Sequence, residues 1–429
     1  MTTLHDRLTE LADEAPAGGP APELWDRGRR LHRRRRAGTV VIVAVAALLL
    51  GILGTTSWLR ERQQPAPAGA SEGLRLPDEF FVPGEFTDGT DDAGELGPLT
   101  AVLRAPRHGD RTGLVGIGGS SGIYRFLDLP GWVQDDNVAL STDGSRVAYW
   151  YGARSGGLTA PRIDGLAVYD TTTGTIARDP IESDHGLMSQ PLVLVGDEVW
   201  FEEQPFIDED REATNGGSVL AWRIGGEHVR TWQPSAGPVP SLVDATTVDG
   251  RLVDGATHRV RLWSSDRVEP EVRRTGRSIE APVQPSPLTG VYVAVLGRDG
   301  AAVSASDPRP VVTLAATAPG RFHTNLVPGL ETSEVVGWRA DTVFVTFDYR
   351  TSVFAQVPMD TASAKPLTRL TSDLGDVGLQ VAADAWKGPT YGASAPPDPW
   401  DPRLVWGAGG AVVLVAAGLV VLWRRRVRA

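Results

Sequence analysis

Four features of the 429-residue chain carry residue types that do chemistry in other proteins. The stretch "GGSSG", residues 118–122, fits the G-x-S-x-G pattern of an activated serine, with Ser120 at the reacting position. That chemistry needs a strand–turn–helix elbow to expose the hydroxyl, and triad partners further along the chain. The next residues are "IYRFLDL", an alternating run read as a strand, so the motif is expected to be a hairpin turn. The second feature is the set of seven histidines: His5, His32, His108, His185, His228, His258 and His323. None stands three or four residues from another, so no zinc-binding pair shares a helix face. There is no cysteine. That excludes disulfides, thiolate metal sites, cysteine nucleophiles and a lipid-modified amino-terminal cysteine.

The third and fourth features are acidic runs, "TDGTDDAGE" at residues 87–95 and "DED" at 208–210. Laid on the EF-hand template from Asp88, the obligatory glycine position holds Ala93 and the closing glutamate position holds Leu99, so that template fails. An irregular calcium site and a solvated acidic loop are the two readings left, with the solvated loop as the default. A glycosidase or lyase would need two inward carboxylates at a set separation. The chain has many carboxylates, and the sequence does not show which converge. No residue pattern calls for a cofactor or a metal.

The elements that would position such groups are strands. In "VALSTDGSRVAYWY", residues 138–151, Val147, Tyr149 and Tyr151 fall on one face of a strand, and Ala148 and Trp150 on the other. "STDGS" supplies the reversal, because Asp-Gly accepts the positive φ of a tight hairpin. A second hairpin, "GLAVYDTTTGTI", completes a four-stranded antiparallel unit. The device recurs along the chain. Its turn residues, Asp110, Asp143, Asp197, Asp249, Gly290 and Asp341, are spaced by 33, 54, 52, 41 and 51 residues. These values scatter around the ~40–50 residues of a propeller blade. Stacking such sheets radially buries both faces and leaves only short edges. Residues 74–384 are therefore read as a β-propeller of six blades, with five, seven or eight open, and a β-sandwich pair as the competing all-β arrangement.

Two charge-free runs of 20 residues flank this region, at 39–58 and 404–423. At 1.5 Å per residue a 20-residue helix spans about 30 Å, the hydrocarbon thickness of a bilayer. Both are read as transmembrane helices, the first with a cleaved signal peptide as its alternative. Arg29, Arg30, Arg33, Arg34, Arg35 and Arg36 precede the first, and Arg424, Arg425 and Arg426 follow the second. The positive-inside rule places both termini in the cytoplasm and the propeller outside the cell membrane, joined by linkers 59–73 and 385–403. Removing the 8 basic and 6 acidic residues of the first 37, and the 4 arginines of the last six, leaves 30 basic against 47 acidic residues, a net charge of −17. Such a domain is not expected to seek nucleic acid or anionic lipid.

The tail, residues 1–36, begins with "TTLHDRLTELADEAP", in which Leu4, Leu8 and Leu11 share one helix face. With Leu24 and Trp25 they form a candidate docking face for a cytoplasmic partner. A solvated leader anchored on lipid by its arginines is the plainer reading. Tail 424–429 is arginine-rich only.

"VALSTDGSRVAYWY" and "GLAVYDTTTG" resemble the "LSPDG…VAY" and "VYD…TG" segments of TolB-like and WD40-like propellers, with Thr142 in place of the usual proline. The layout is similar to that of actinobacterial membrane-anchored propeller proteins. The resemblance implies a fold far more than a function. The layout, a large outer domain between two spans with an apolar helical face on the tail, points to an extracytoplasmic module that binds a protein, glycan or small ligand, and the resemblance implies a tail that regulates a cytoplasmic partner such as a sigma factor. The tail lacks the zinc motif and the length of a full anti-sigma domain. The alternatives are an envelope enzyme with paired acids in the channel and a structural scaffold.

Overall fold

The alternating runs fold into short strands whose spatial order makes a ring. A computed structural model describes residues 4–14, 73–109, 111–133, 137–153, 162–208, 217–243, 245–256, 258–266, 270–288, 290–297, 308–318, 320–371, 378–397, 418, 421 and 425. The chain divides into two units, Gln64–Pro399 and the pair of ends Met1–Gln63 with Trp400–Ala429. In the second of these, helix α1 (Leu4–Asp13) forms where the leucine spacing places it, with the Thr9 hydroxyl donating to the His5 carbonyl at 2.9 Å. The side chains of Leu4, Leu8 and Leu11 lie outside the described residues, as do Leu24, Trp25, Arg29, Arg30, Arg33, Arg34, Arg35, Arg36, Arg424 and Arg426. Arg425 is described, and is exposed. Among the described residues no helix is long and apolar enough to cross a membrane. The two predicted spans lie outside them, apart from residues 418 and 421.

In Gln64–Pro399, two-residue strands β1 (Leu76–Pro77) and β2 (Glu79–Phe80) come first. Blade 1 takes β3 (Leu99–Arg107), β4 (Arg111–Gly118) and β5 (Tyr124–Phe126). Blade 2 is β6 (Val138–Leu140), β7 (Arg146–Ala153), β8 (Arg162–Asp170) and β9 (Ile176–Pro180). Blade 3 is β10 (Leu192–Val195), β11 (Glu198–Glu203), β12 (Ser218–Arg223) and β13 (His228–Trp232). Blade 4 is β14 (Thr246–Val248), β15 (Arg251–Ala256), β16 (Arg259–Trp263) and β17 (Glu271–Arg274). Blade 5 is β18 (Ile279–Pro285), β19 (Val291–Leu296), β20 (Arg309–Ala318) and β21 (Arg321–Thr332). Blade 6 is β22 (Glu334–Ala340), β23 (Val343–Asp348), β24 (Val353–Pro358) and β25 (Lys365–Leu370). Strand β26 (Gln380–Val381) returns to pair with β3 as the first strand of blade 1, and β27 (Thr390–Tyr391) pairs with β1. Helix α2 (Thr90–Ala93) precedes β3 and helix α3 (Ala383–Lys387) follows β26.

Each blade is an antiparallel meander, and alternate residues of one strand serve different cores. In β7, Val147 and Tyr149 pack with blade 1, while Ala148 and Trp150 pack with blade 3. In β11, Val199 and Phe201 face blade 2 and Trp200 faces blade 4. In β19, Tyr292 and Ala294 face blade 4 and Val293 and Val295 face blade 6. The sixth core joins Val345, Phe347 and Phe354 of blade 6 to Ala101, Leu103 and Ile117 of blade 1. Every sheet is thus buried on both faces and the series closes on itself. A sandwich buries one face per sheet, so the competing all-β arrangement is set aside. Blades 4 and 5 are also continuous, through a single parallel pairing of Arg274 with Arg321.

The predicted turn residues Asp143, Asp197, Asp249, Gly290 and Asp341 all lie between the first and second strands of blades 2 to 6. The sixth, Asp110, lies outside the described residues, between β3 and β4. Those are the second and third strands of blade 1, because its first strand is β26. The short spacing of 33 residues therefore records a blade whose first strand comes from the other end of the chain. In blade 2 the Asp143 carboxylate accepts from the Ser141 hydroxyl at 2.7 Å, the Ser145 N–H at 3.0 Å and the Ser145 hydroxyl at 2.8 Å. Burial opposes its charge, but these hydrogen bonds outweigh burial and hold the carboxyl below its ordinary value. Gly144 (φ +72°) then lets the turn touch blade 1: a Cβ there would lie 2.0 Å from the Leu99 carbonyl oxygen.

Closure uses both ends of the unit. The Gln380 amide donates to the Val138 carbonyl at 2.7 Å and accepts from Leu140 N–H at 3.2 Å, extending β26 sideways onto β6. β2 adds to the outer edge of β25, with Glu79 and Arg369 paired at 2.9 Å. Trp386, in the segment read as linker, is buried against Phe354 and over Gly337, where a Cβ would sit 2.6 Å from the indole. Gln380→Ala is expected to destabilise the propeller by about 1–3 kcal/mol, because it strips two backbone groups of their partners. Urea unfolding followed by tryptophan fluorescence measures this.

Candidate functional site

An antiparallel meander puts its first-to-second and third-to-fourth connections at one end of every blade, the turn face, and the others at the opposite end, the loop face. The first and last described segments of the propeller, around 76–78 and 384–393, lie at the turn face. Asp384 N–H donates to the carbonyl of Thr142, in the first turn of blade 2, at 3.0 Å, and Arg339, just before the corresponding turn of blade 6, donates to the Trp386 carbonyl at 3.4 Å. Beside them β1 and β27 run parallel, and Ala393 N–H donates to Asp78 at 2.7 Å. The first and last described segments of the propeller therefore lie side by side at the turn face.

On the loop face, blades 2, 3 and 4 present a built surface. Segments 183–190 and 204–206 zip together: Met188 N–H donates to the Gln204 carbonyl at 2.9 Å, Phe206 N–H donates to the Gly186 carbonyl at 3.1 Å, and Leu187 pairs with Pro205. The Trp150 indole N–H donates to the Gln190 carbonyl at 2.7 Å, and Asn137 donates to the Ser189 hydroxyl at 2.8 Å, fastening the ladder to blade 2. The result holds Met188 (40% exposed) and Ile207 (57%) outward. On the next connection Val243 is 58% exposed beside buried Leu242. These are large apolar side chains on backbone fixed by hydrogen bonds, which is how a partner surface is pre-organised. Exposed Glu182 and Asp184 flank the ladder.

Asp254, on β15, ties the connection carrying Val243 to the core. Only 2% exposed, its Oδ2 accepts from Ser241 N–H at 3.0 Å and from the Trp263 indole at 2.9 Å, while Oδ1 is buried without a partner. Burial pushes the carboxyl above its ordinary range, and the donors Ser241 and Trp263 and the charge of Arg261 only partly offset it.

The chemistry expected from the sequence is scattered over the ring. "GGSSG" is the β4–β5 turn, closed by Gly118 N–H donating to the Ile123 carbonyl and Gly122 N–H to the Gly118 carbonyl. It has no elbow helix. His228 contacts Asp179 of blade 2 at 2.8 Å and His108 lies 4.7 Å from the Phe86 ring; among the described residues no cluster of His, Asp and Glu could hold a metal ion. The acidic run 87–95 wraps the rim of blades 1 and 2. Asp128 accepts from Asp91 N–H at 2.9 Å and pairs with Arg107 at 2.6 Å, and the Tyr169 hydroxyl donates to Glu95. Of 208–210 only Asp208 is described. On the first strands facing the axis, the described side chains are apolar or neutral except Glu334 and Arg339, so no carboxylate pair is found there among the described residues. Asp254 was not singled out in the sequence, because Asp254-Gly255 carries the same signature as the turn at Asp249-Gly250 yet lies inside β15.

No family model matches the chain, and no curated protein matches it. Solved structures do resemble it. An oligogalacturonate lyase in complex with manganese is 10% identical, with a TM-score of 0.41, over 68% of this chain and 78% of that one. A putative 6-phosphogluconolactonase from Bacteroides fragilis is 11% identical, with a TM-score of 0.32, over 63% and 93%. A nidogen/laminin complex is 10% identical, with a TM-score of 0.36, over 62% and 92%. At such scores the propeller assignment rests on the sheet order and the ring of cores, and no activity passes from these proteins to this chain.

Asp254 gives the fold a pH signature. The native state keeps its proton to higher pH than the unfolded chain, so this group's contribution falls as pH rises from about 3.9 through the raised native value. Asp254→Asn is expected to remove that slope and to be more stable than the parent at neutral pH, with the difference closing at acid pH. Asp254→Ala leaves the Ser241 and Trp263 donors unmatched and is expected to lose about 1–3 kcal/mol. Urea unfolding between pH 4 and 8 distinguishes the three proteins.

Proposed function

We propose that this chain is a membrane-tethered, extracytoplasmic propeller that binds a protein partner through the loop face of blades 2 to 4. The observation that supports this most is the hydrogen-bonded ladder of 183–190 with 204–206, which holds Met188 and Ile207 exposed on rigid backbone. The described segments that open and close the propeller lie at the opposite face, and a tether would join the propeller there. The two apolar runs at 39–58 and 404–423 with their arginine flanks supply the tether and place both termini in the cytoplasm. Helix α1, with Leu4, Leu8 and Leu11 on one side, then serves as the docking element for a cytoplasmic regulator such as a sigma factor. The propeller is the input and the tail is the output.

Affinity capture from native membranes tests both halves. Met188→Glu with Ile207→Glu is expected to lose an extracytoplasmic partner by at least about tenfold while unfolding at the same urea concentration as the parent, since hydrophobic anchors at interfaces each contribute about 2 kcal/mol or more. A variant lacking residues 1–36 is expected to keep that partner and lose a cytoplasmic one. Retention of every partner by the double variant would rule out the loop face, and an unchanged cytoplasmic capture by the truncation would rule out the tail.

A further inference from the structure

Blade 4 carries arginine on both faces and treats the two faces differently. On the face toward blade 5, Arg251 and Arg273 both pair with Glu271, at 3.0 and 2.8 Å. On the face toward blade 3, Arg259 lies directly across from Arg274, and Arg274 directly across from Arg321 of blade 5. Three arginines thus stand side by side on adjacent strands, roughly 5 Å from one strand to the next. All three are exposed, and their side chains make no ion pair or hydrogen bond among the described residues. Like charges placed directly opposite on a sheet are destabilising. In a domain where acidic residues outnumber basic ones by 47 to 30, a neutralising carboxylate was available in composition, and none pairs with these arginines among the described residues. Val272, 38% exposed, lies on this same face opposite Arg261.

The complementary charge is on the same molecule, half a turn of the ring away. The run 87–95 lies outside β5, the outermost strand of blade 1: Phe126 N–H donates to the Asp88 carbonyl at 3.1 Å, and Gly89 bridges Phe126. Its Asp88, Asp91 and Asp92 are exposed and form no side-chain ion pair among the described residues. In a six-bladed ring the junction of blades 1 and 2 is diametrically opposite the junction of blades 4 and 5. Both patches also sit at the loop-face end of the rim, where β5 ends and where β16 begins and β17 ends.

We infer that the arginine row is a docking surface for a second copy of this chain, which presents its Asp88–Asp91–Asp92 rim. A contact between two different patches half a turn apart is heterologous and does not close into a dimer, so it propagates as a row of propellers. Each copy is shifted along a ring diameter and keeps the same orientation, so all turn faces remain on one side. That is the geometry a tethered protein can use, and to this extent the inference builds on the proposed tether. The loop face stays free along the whole row.

The absence of cysteine makes the test clean. The full chain carrying Asp92→Cys and Val272→Cys, reconstituted in neutral lipid vesicles at low salt, is expected to give a ladder of disulfide-linked multimers on mild oxidation. Each single-cysteine chain is expected to stay monomeric, and an equal mixture of the two to stop at dimers. Arg259→Glu with Arg274→Glu is expected to reduce the ladder at least about tenfold, as does 0.5 M salt, which screens beyond about 4 Å. Adding Asp88→Arg and Asp91→Arg to that variant is expected to restore the ladder, a rescue that misfolding cannot produce. No ladder, a ladder indifferent to charge reversal, or dimers formed by the Val272→Cys chain alone would each overturn the inference.

Discussion

The burial of both faces of every sheet is the constraint on which this structure depends. A four-stranded meander with Val147 and Tyr149 on one side and Ala148 and Trp150 on the other has no solvent face to spare. Each blade must therefore find two neighbours, and a linear stack would leave two blades half exposed. The ring answers this only if blade 6 meets blade 1, and that meeting is made by residues far apart in sequence: Phe80 and Trp386 pack in the same core as Leu103 and Phe354. The closure is therefore cooperative. Removing β26, β2 or the Trp386 seat exposes two apolar faces at once, not one.

Closure also explains why the two ends of the domain lie together. β26 must reach the axis as the first strand of blade 1, while β3, its partner, begins the amino-terminal half. Chain order then forces the segment before β3 and the segment after β26 to the same end of blade 1. The parallel β1–β27 pair and the Asp78 contact to Ala393 are the local expression of that requirement. The first and last described segments of the propeller lie at one face, and the exposed apolar side chains Met188, Ile207 and Val243 lie at the other.

Much of this was legible in the sequence, and the reason is physical. Turn positions were readable because a tight first turn demands Asp-Gly or Gly, as at Asp143 and Asp249, the latter itself at φ +48°. The ring was readable because apolar residues fill successive positions of a strand instead of alternate ones. Strand β26 was not readable: two residues, Gln380 and Val381, carry no period, and only the short interval before Asp143 hinted at a borrowed strand. The loop-face ladder was equally hidden, since it rests on backbone hydrogen bonds between 186–188 and 204–206 that no side-chain pattern announces. Asp254 was masked by resemblance to a turn, because the same Asp-Gly pair that bends the chain in water can sit inside a strand when an indole and a backbone N–H hold its carboxylate.

The charged rim shows the same division between composition and register. Counting residues makes the domain acidic, and a domain of uniform sign would repel its copies. Register overturns that expectation locally. Arg259, Arg274 and Arg321 are distant in sequence and ordinary one by one; only the pairing of β16 with β17, and of β17 with β21, sets them in a row. The one-residue bridge between blades 4 and 5 is what places Arg321 beside Arg274, so the feature that departs from six separate sheets is also the one that concentrates positive charge. Net repulsion then works with the patch and not against it. It disfavours every contact between copies except the one in which the acidic rim of blade 1 meets the arginine row, and so it selects one orientation among many.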